Sequence, residues 1–214
     1  FFLASIRLQM PIFLIIYLIW LSINKKSKYK KKENEFINLI QQSDPNFDIK
    51  SFKENVKKTI YSLNECFTNQ DIEKLMVLES SSMYEIHKKN IEISLEKDIQ
   101  IVYDCTDVSD VKLTKYKVEG TKEVLGCCVW VTYIKLTIRP STKQVSTRAK
   151  TTTTSPLYLE FIRSTNVKTE KGKDFATQCC PNCGAVIEVN AQGKCIYCNS
   201  LILNGEHSWV LNEA

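Results

Sequence analysis

Apolar positions along the chain follow three regimes. The first is a nearly unbroken run, "MPIFLIIYLIWLSI" over residues 10–23, followed at once by lysines. From residue 49 the spacing turns helical: Ile49, Phe52, Val56, Ile60, Leu63 and Phe67 recur every three or four residues, and Asp48 stands where an N-cap is needed. "NQDIEKLMVLES" and "SSSMYEIHKKNIEISLEKD" predict two further helices, starting near Asn69 or Asp71 and near Ser81 or Ser82. Ahead of these, "ENEFINLIQQSDPNFDI" gathers Phe36, Leu39 and Ile40 on a brief apolar face before Asp44-Pro45 breaks it. It reads as a linker helix packing on the next domain, with a membrane-surface segment as the other reading.

Beyond Asp98 the period becomes that of strands. "IQIVYDCTDV", "VKLTKYKV", "VLGCCVWVTYIKLTI" and "LYLEFIRS" are rich in Val, Ile, Thr, Tyr and Phe, with turns at Glu119-Gly120 and Pro140-Ser141. The third run is long and contains Gly126, which predicts a bend. Along it Val124, Cys128, Trp130, Ile134, Leu136 and Ile138 share one face. "VSTRAKTTTTSP" reads as a polar hairpin loop or a frayed strand. Helices before a bent antiparallel sheet predict an α+β cone or open barrel, a shape able to enclose a cavity. Phe52, Val56 and Ile60 from the helix, with Trp130 and Ile134 from the long strand, are the candidates to line it; solid core is the plainer reading of Trp130 and Ile134.

Charge places the chain relative to a membrane. The net charge is +5, yet residues 1–32 alone carry seven basic residues and no acid, so the remainder is net acidic. Clustered Lys and Arg suited to a phosphate backbone are missing from the cysteine-rich end, where Lys194 faces Glu188, Glu206 and Glu213; nucleic acid is not an expected partner. The apolar run is long enough to cross a bilayer when counted from Phe1, although Arg7 and Gln9 interrupt it. A secretory signal would carry its charge before the run and small residues after it, whereas bulky residues and then lysines stand here. Lysines after an apolar run mark the cytoplasmic side of an anchor. The expectation is a single-pass anchor over residues 1–23 and a basic juxtamembrane linker over 24–43, with the following domain facing the cytoplasm.

Nine cysteines are an odd number, and four of them form two CxxC pairs. Cys180 and Cys183, eleven residues, then Cys195 and Cys198 are two knuckles whose thiolates complete a tetrahedron around one zinc ion. Gly184 and Gly193 flank them, and "AVIEVN" reads as the strand between, so residues 179–214 are expected to be a zinc ribbon after a linker at 169–178. Four cysteine ligands leave no open position, which makes the zinc structural. A module this small needs the metal to fold. Cys179 is left out of the ligand set, and His207 reads as surface. Cys66, Cys105, Cys127 and Cys128 show no ligand spacing and read as small hydrophobes in a reducing compartment. His87, alone on a helix, is given no chemistry.

Several stretches resemble the Tim44-like domain. "DPNFDIKSFKENVKKTIYSLNECFTNQDIEKLMVLESSSMYEIHKKNIE" is similar to its helical first half, and "LYLEFIRSTNVKT" to its closing strand. The ribbon with its ending Gly205, Glu206, Trp209, Val210 and Leu211 is similar to the tail of bacterial members that carry an amino-terminal membrane segment. The resemblance implies a cone-shaped, nuclear-transport-factor-two-like (cystatin-like) α+β domain over 44–168 with an apolar pocket. It also implies a membrane-proximal binding or scaffolding role, with membrane lipid or a membrane-associated protein as partner. Import-motor function is not carried over. An enzyme acting on an apolar small molecule is the alternative; two scattered histidines and no evident acid–base pair weigh against it.

Overall fold

Among the described residues, four helices precede five strands. The computed structural model describes residues 12–169, 183, 194–199 and 208–213. The first helix, α1 (Ile12–Ser43), is continuous: it begins in the apolar run, carries the lysines, and ends with Ile40 fully buried and Phe36 and Ile37 packed on the core. The lysine-rich stretch is therefore part of one helix whose last turns belong to the domain. Leu39 of the expected apolar face is instead 47% exposed.

Helix α2 (Ile49–Asn69) starts where Asp48 accepts from the Ser51 N–H at 2.8 Å. That hydrogen bond is the main reason the Asp48 carboxyl lies below its ordinary value. Helices α3 (Ile72–Leu78) and α4 (Ser81–Lys97) are capped in the same way by Asp71 and Ser80. Removing such a cap costs about 1 kcal/mol. Asp48→Ala should lower stability by about that much in urea unfolding, and Asp48→Asn should restore nearly all of it.

The strands are β1 (Gln100–Glu119), β2 (Lys122–Arg139), β3 (Gln144–Arg148), β4 (Thr153–Ser164) and β5 (Val210–Glu213). All named pairings are antiparallel, in the order β1-β2-β4-β5, with β3 pairing the far end of β2. The two runs expected as separate first strands are one, because hydrogen bonding to β2 continues through three register shifts, one of them spanning Asp110 at φ +51°. Another shift, between Leu113 and Lys115, puts Lys115 opposite Gly126. A Cβ on Gly126 would stand 3.0 Å from Lys115 Cβ and 3.2 Å from Thr114 Oγ1, so the expected bend is a close approach that a side chain here would crowd.

Core and cavity expectations are corrected here. The sheet buries Leu125, Cys127, Val129 and Val131 of β2 with Leu159 and Phe161 of β4 against Phe52, Val56 and Ile60 of α2. Trp130 is 39% exposed and Ile134 half-buried, on the alternate positions of β2. Of the five candidate lining residues, Phe52, Val56 and Ile60 fill the core, while Trp130 and Ile134 belong to the other face of the sheet. Both faces of β2 are apolar in sequence, so period-two alternation could not choose between them, and packing on α2 decides.

Domain limits shift for a similar reason. Ile40 lies in the core, and β5 adds a strand to the sheet. Neither Asp44 nor Cys179 is thus the edge of the packed unit. Thr169 and Trp209, forty residues apart in sequence, both pack on the same ionic cluster.

Candidate functional site

Between Asp44, Thr169 and Trp209 one arginine is enclosed. Arg163 is 2% exposed on β4. Its Nε donates to Glu123 Oε2 at 2.5 Å and its Nη1 to Asp44 Oδ2 at 2.8 Å. Asp44 follows the last turn of α1, and Thr169 binds it twice, through its N–H at 3.1 Å and its hydroxyl at 2.6 Å. Glu123 also accepts from Ser43 Oγ at 3.0 Å and Tyr116 OH at 3.2 Å. Over the guanidinium lies Trp209, whose ring centroid is 4.4 Å from Cζ. The same indole packs edge-on against Phe52 at 6.0 Å.

Each of the three quoted landmarks therefore contributes one group to this cluster: Asp44 from "DPNF", Arg163 from "LYLEFIRS", Trp209 from the ending. Trp209, Val210 and Leu211 are all buried, and Ser80 N–H donates to Leu211 O at 2.7 Å. Gly205 and Glu206 lie outside the described residues. Burial acting alone would raise the Asp44 carboxyl; hydrogen bonds from Thr169 and Arg163 outweigh it and hold the group below its ordinary value. Sequence reasoning missed Arg163 and Glu123, because an isolated charged residue in a strand reads as exposed.

Three cysteines of the two knuckles come together. The Sγ atoms of Cys183, Cys195 and Cys198 lie within 4.8 Å of one another, with Cys183 and Cys195 3.9 Å apart. The second knuckle is a closed turn: Asn199 N–H donates to Cys195 O at 2.8 Å, and Asn199 takes φ +59°. Such a trio of thiols is able to hold a metal ion, and tetrahedral thiolate sets suit zinc. Cys180, the fourth expected ligand, lies outside the described residues, as do Cys179, Gly184, Gly193 and His207.

The remaining cysteines behave differently. Cys66 and Cys127 are enclosed, and burial pushes both thiols up to about 12. They should resist iodoacetamide in the native reduced protein and react after denaturation; native alkylation of Cys127 would contradict its place in the core.

The described residues also frame a cleft of about 280 Å³ between α2, α4 and the start of β1. Phe67, Ile101 and Tyr103 supply its apolar walls, and Asn64, Asn90 and His87 its polar ones. His87 Nδ1 lies 2.6 Å from Oε1 of the fully buried Glu79, which fixes the ring and leaves Nε2 as its remaining polar atom. The cleft adjoins the core rather than occupying it, unlike the cavity expected from sequence.

Comparison with known proteins supports the domain assignment. The profile of the Tim44-like domain matches residues 34–170. No curated protein matches. Among solved structures, the intermembrane space region of the chloroplast protein ARC6 is similar at 15% identity, covering 55% of this chain and 86% of that one with a TM-score of 0.38.

Proposed function

From the premise that this chain belongs to the Tim44-like domain family, whose members are membrane-associated binding and scaffold domains, we propose that it is a membrane-anchored module that holds lipid or a protein partner beside the bilayer. The observation that carries this reading is α1: one helix joins the apolar run to the lysines and then to the domain core. Tyr17 and Trp20, both more than half exposed, lie in the second half of the apolar run, on the side of the lysines, where aromatic residues suit a membrane interface. Among the described residues no helix is long and apolar enough to cross a membrane, and residues 1–11, where the span would begin, lie outside them. Lysines on the domain side of the run favour a cytoplasmic domain.

A structural zinc ion held by Cys180, Cys183, Cys195 and Cys198 completes the proposal. Its role is to fold the segment between Thr169 and Trp209, leaving no site for catalysis. The cleft beside His87 is the place where a lipid's apolar part has space against Phe67 and Ile101.

Two measurements test this reading. Full-length protein mixed with phospholipid vesicles should float with them and resist carbonate extraction, whereas protein lacking residues 1–23 should be extracted. Carbonate extraction of the full chain would count against the anchor. Native mass spectrometry of the reduced full chain in detergent should show one zinc ion, and a lipid-sized mass beside it would decide for lipid over a protein partner.

A further inference from the structure

The hairpin tip at the far end of the sheet carries the most one-sided charge of the domain. From Val124 to Leu159 there are five basic residues, Lys135, Arg139, Lys143, Arg148 and Lys150, and no acid. All five are exposed, as is every residue of β3, and Val145 between them is 55% exposed. Register puts Leu136 opposite Arg148 and Arg139 opposite Gln144, so the charges lie on both faces of the ribbon. Asp98 is the acid at the turn, and it is engaged: its two oxygens accept from the Ser141 N–H and hydroxyl, each at 2.8 Å. These bonds tie the turn to the end of α4. Asp104 and Asp107 stand on β1 opposite Ile134 and Thr132, nearer the body of the sheet.

Two contacts fix the run of α1 past this sheet. Its last residue, Ser43, bonds Glu123 beside the β1–β2 turn, and Glu33, ten residues earlier, accepts from the Leu113 N–H at 3.0 Å. Lys53 also pairs with Glu33 at 2.8 Å. Traced toward its N-terminus, α1 thus advances in the sense in which β1 runs back to Gln100 and β2 runs on to Arg139. Its lysines begin one residue beyond Glu33. The thirteen residues from Leu113 back to Gln100 extend for roughly 40 Å, less what the bulges take up, whereas the lysine turns from Glu33 to Lys25 rise about 12 Å, so the tip meets the surface at the lysines with the sheet inclined to α1.

We propose that the β2–β3 tip is a second membrane contact, docking on anionic lipid headgroups at the surface from which α1 emerges. This rests on the membrane-anchored reading above. Basic side chains near an anionic leaflet are each favourable by enough to matter in a cluster of five, and the attraction fades within a Debye length. With α1 as the first tether, the tip needs only weak affinity, because its local concentration at the surface is already high. Two contacts would hold the domain in one orientation.

The test is hydrogen exchange on the full chain reconstituted in two kinds of vesicle, phosphatidylcholine alone and phosphatidylcholine with one-third phosphatidylglycerol. Amides over residues 139–152 should exchange about tenfold more slowly in the anionic vesicles at low salt, with the difference lost at high salt. A variant with all five basic residues changed to Gln should lose this protection, whereas Lys-to-Arg and Arg-to-Lys exchanges should keep it. Equal exchange in both vesicles, with the chain still bound to them, overturns the tip contact and leaves the anchor standing. Failure of the chain to associate with either vesicle overturns the anchored reading itself. Equal protection of the tip by a DNA duplex without vesicles would assign it to nucleic acid and overturn the lipid proposal.

Discussion

Replacing Arg163 by leucine is expected to destabilise the domain by about 3–5 kcal/mol, a large share of the 5–15 kcal/mol typical of a folded domain. The change removes the cation from between Asp44 and Glu123, both fully enclosed, and takes the guanidinium from beneath Trp209. Two carboxylates would remain where water cannot reach them. The origin of the loss can be isolated: Asp44→Asn, Glu123→Gln and Arg163→Met made together should recover most of it, because an enclosed polar set replaced as a whole costs far less than one broken by removing one partner. A triple variant as unstable as Arg163→Leu would show that shape, and not unpaired charge, sets the cost.

Acid should act on the same cluster. The Asp44 carboxyl is held below its ordinary value of 3.8, so its contribution is complete above that value and is lost as pH falls through the lowered native value. Glu160 follows the same sign, with burial opposing and Lys115 prevailing, but its partner is exposed, so its share is smaller. Wild-type stability should therefore hold to about pH 4 and fall below it. In Arg163→Leu, where Asp44 has lost one of its two main supports, the native value moves back toward or past 3.8, so the acid-induced fall below pH 4 should be smaller than in wild type. Urea midpoints measured from pH 3 to 7 would show the shallower profile, and identical slopes would remove Arg163 as the group that holds Asp44 down.

Removing the metal is expected to have the other large effect. Zinc binding to small cysteine modules carries about 10–16 kcal/mol of apparent free energy, more than any single packing contact supplies. Cys195→Ser takes away the most enclosed of the three described thiols. It should abolish zinc retention and speed hydrogen exchange over residues 194–199 by orders of magnitude. Transmission to the domain should be partial. Trp209, Val210 and Leu211 dock through their own burial and through pairing with β4, so β5 should loosen and the melting temperature should fall by several degrees, while β2 keeps its protection. Unchanged zinc content in Cys195→Ser, with unchanged exchange at 194–199, would remove the metal assignment.

Much of the architecture was legible because local and tertiary demands agreed. Asp48 caps α2 as its position before Ile49 foretold, and Asp71 and Ser80 cap the next two helices at or beside the expected starts. The tight turn over Cys195–Cys198 could be read because the spacing of a knuckle is a local property. Agreement failed where the answer lay elsewhere in the chain. Ser109 and Asp110 look like a turn in isolation, yet pairing with β2 carries β1 through them. The buried face of β2 is decided by α2, some 70 residues earlier in sequence. Asp44 and Arg163, 119 residues apart, explain each other's burial only once folded side by side. A four-residue strand beyond the cysteines carries too little pattern to be recognised as part of a sheet whose other strands precede it.

The position of β5 also dictates an order of events during synthesis. A ribosome completes α1 through β4, then the five cysteines from Cys179 to Cys198, and only afterwards Trp209, which covers Arg163, and β5 behind it. At ordinary elongation rates the interval is on the order of seconds, long compared with the formation of helices and hairpins. Through that interval the nascent domain exposes the unpaired edge of β4 and an uncovered ionic cluster, while the thiols that would capture metal are already made. Were the proposed zinc ion captured in that window, metal supply would set how quickly β5 is brought home.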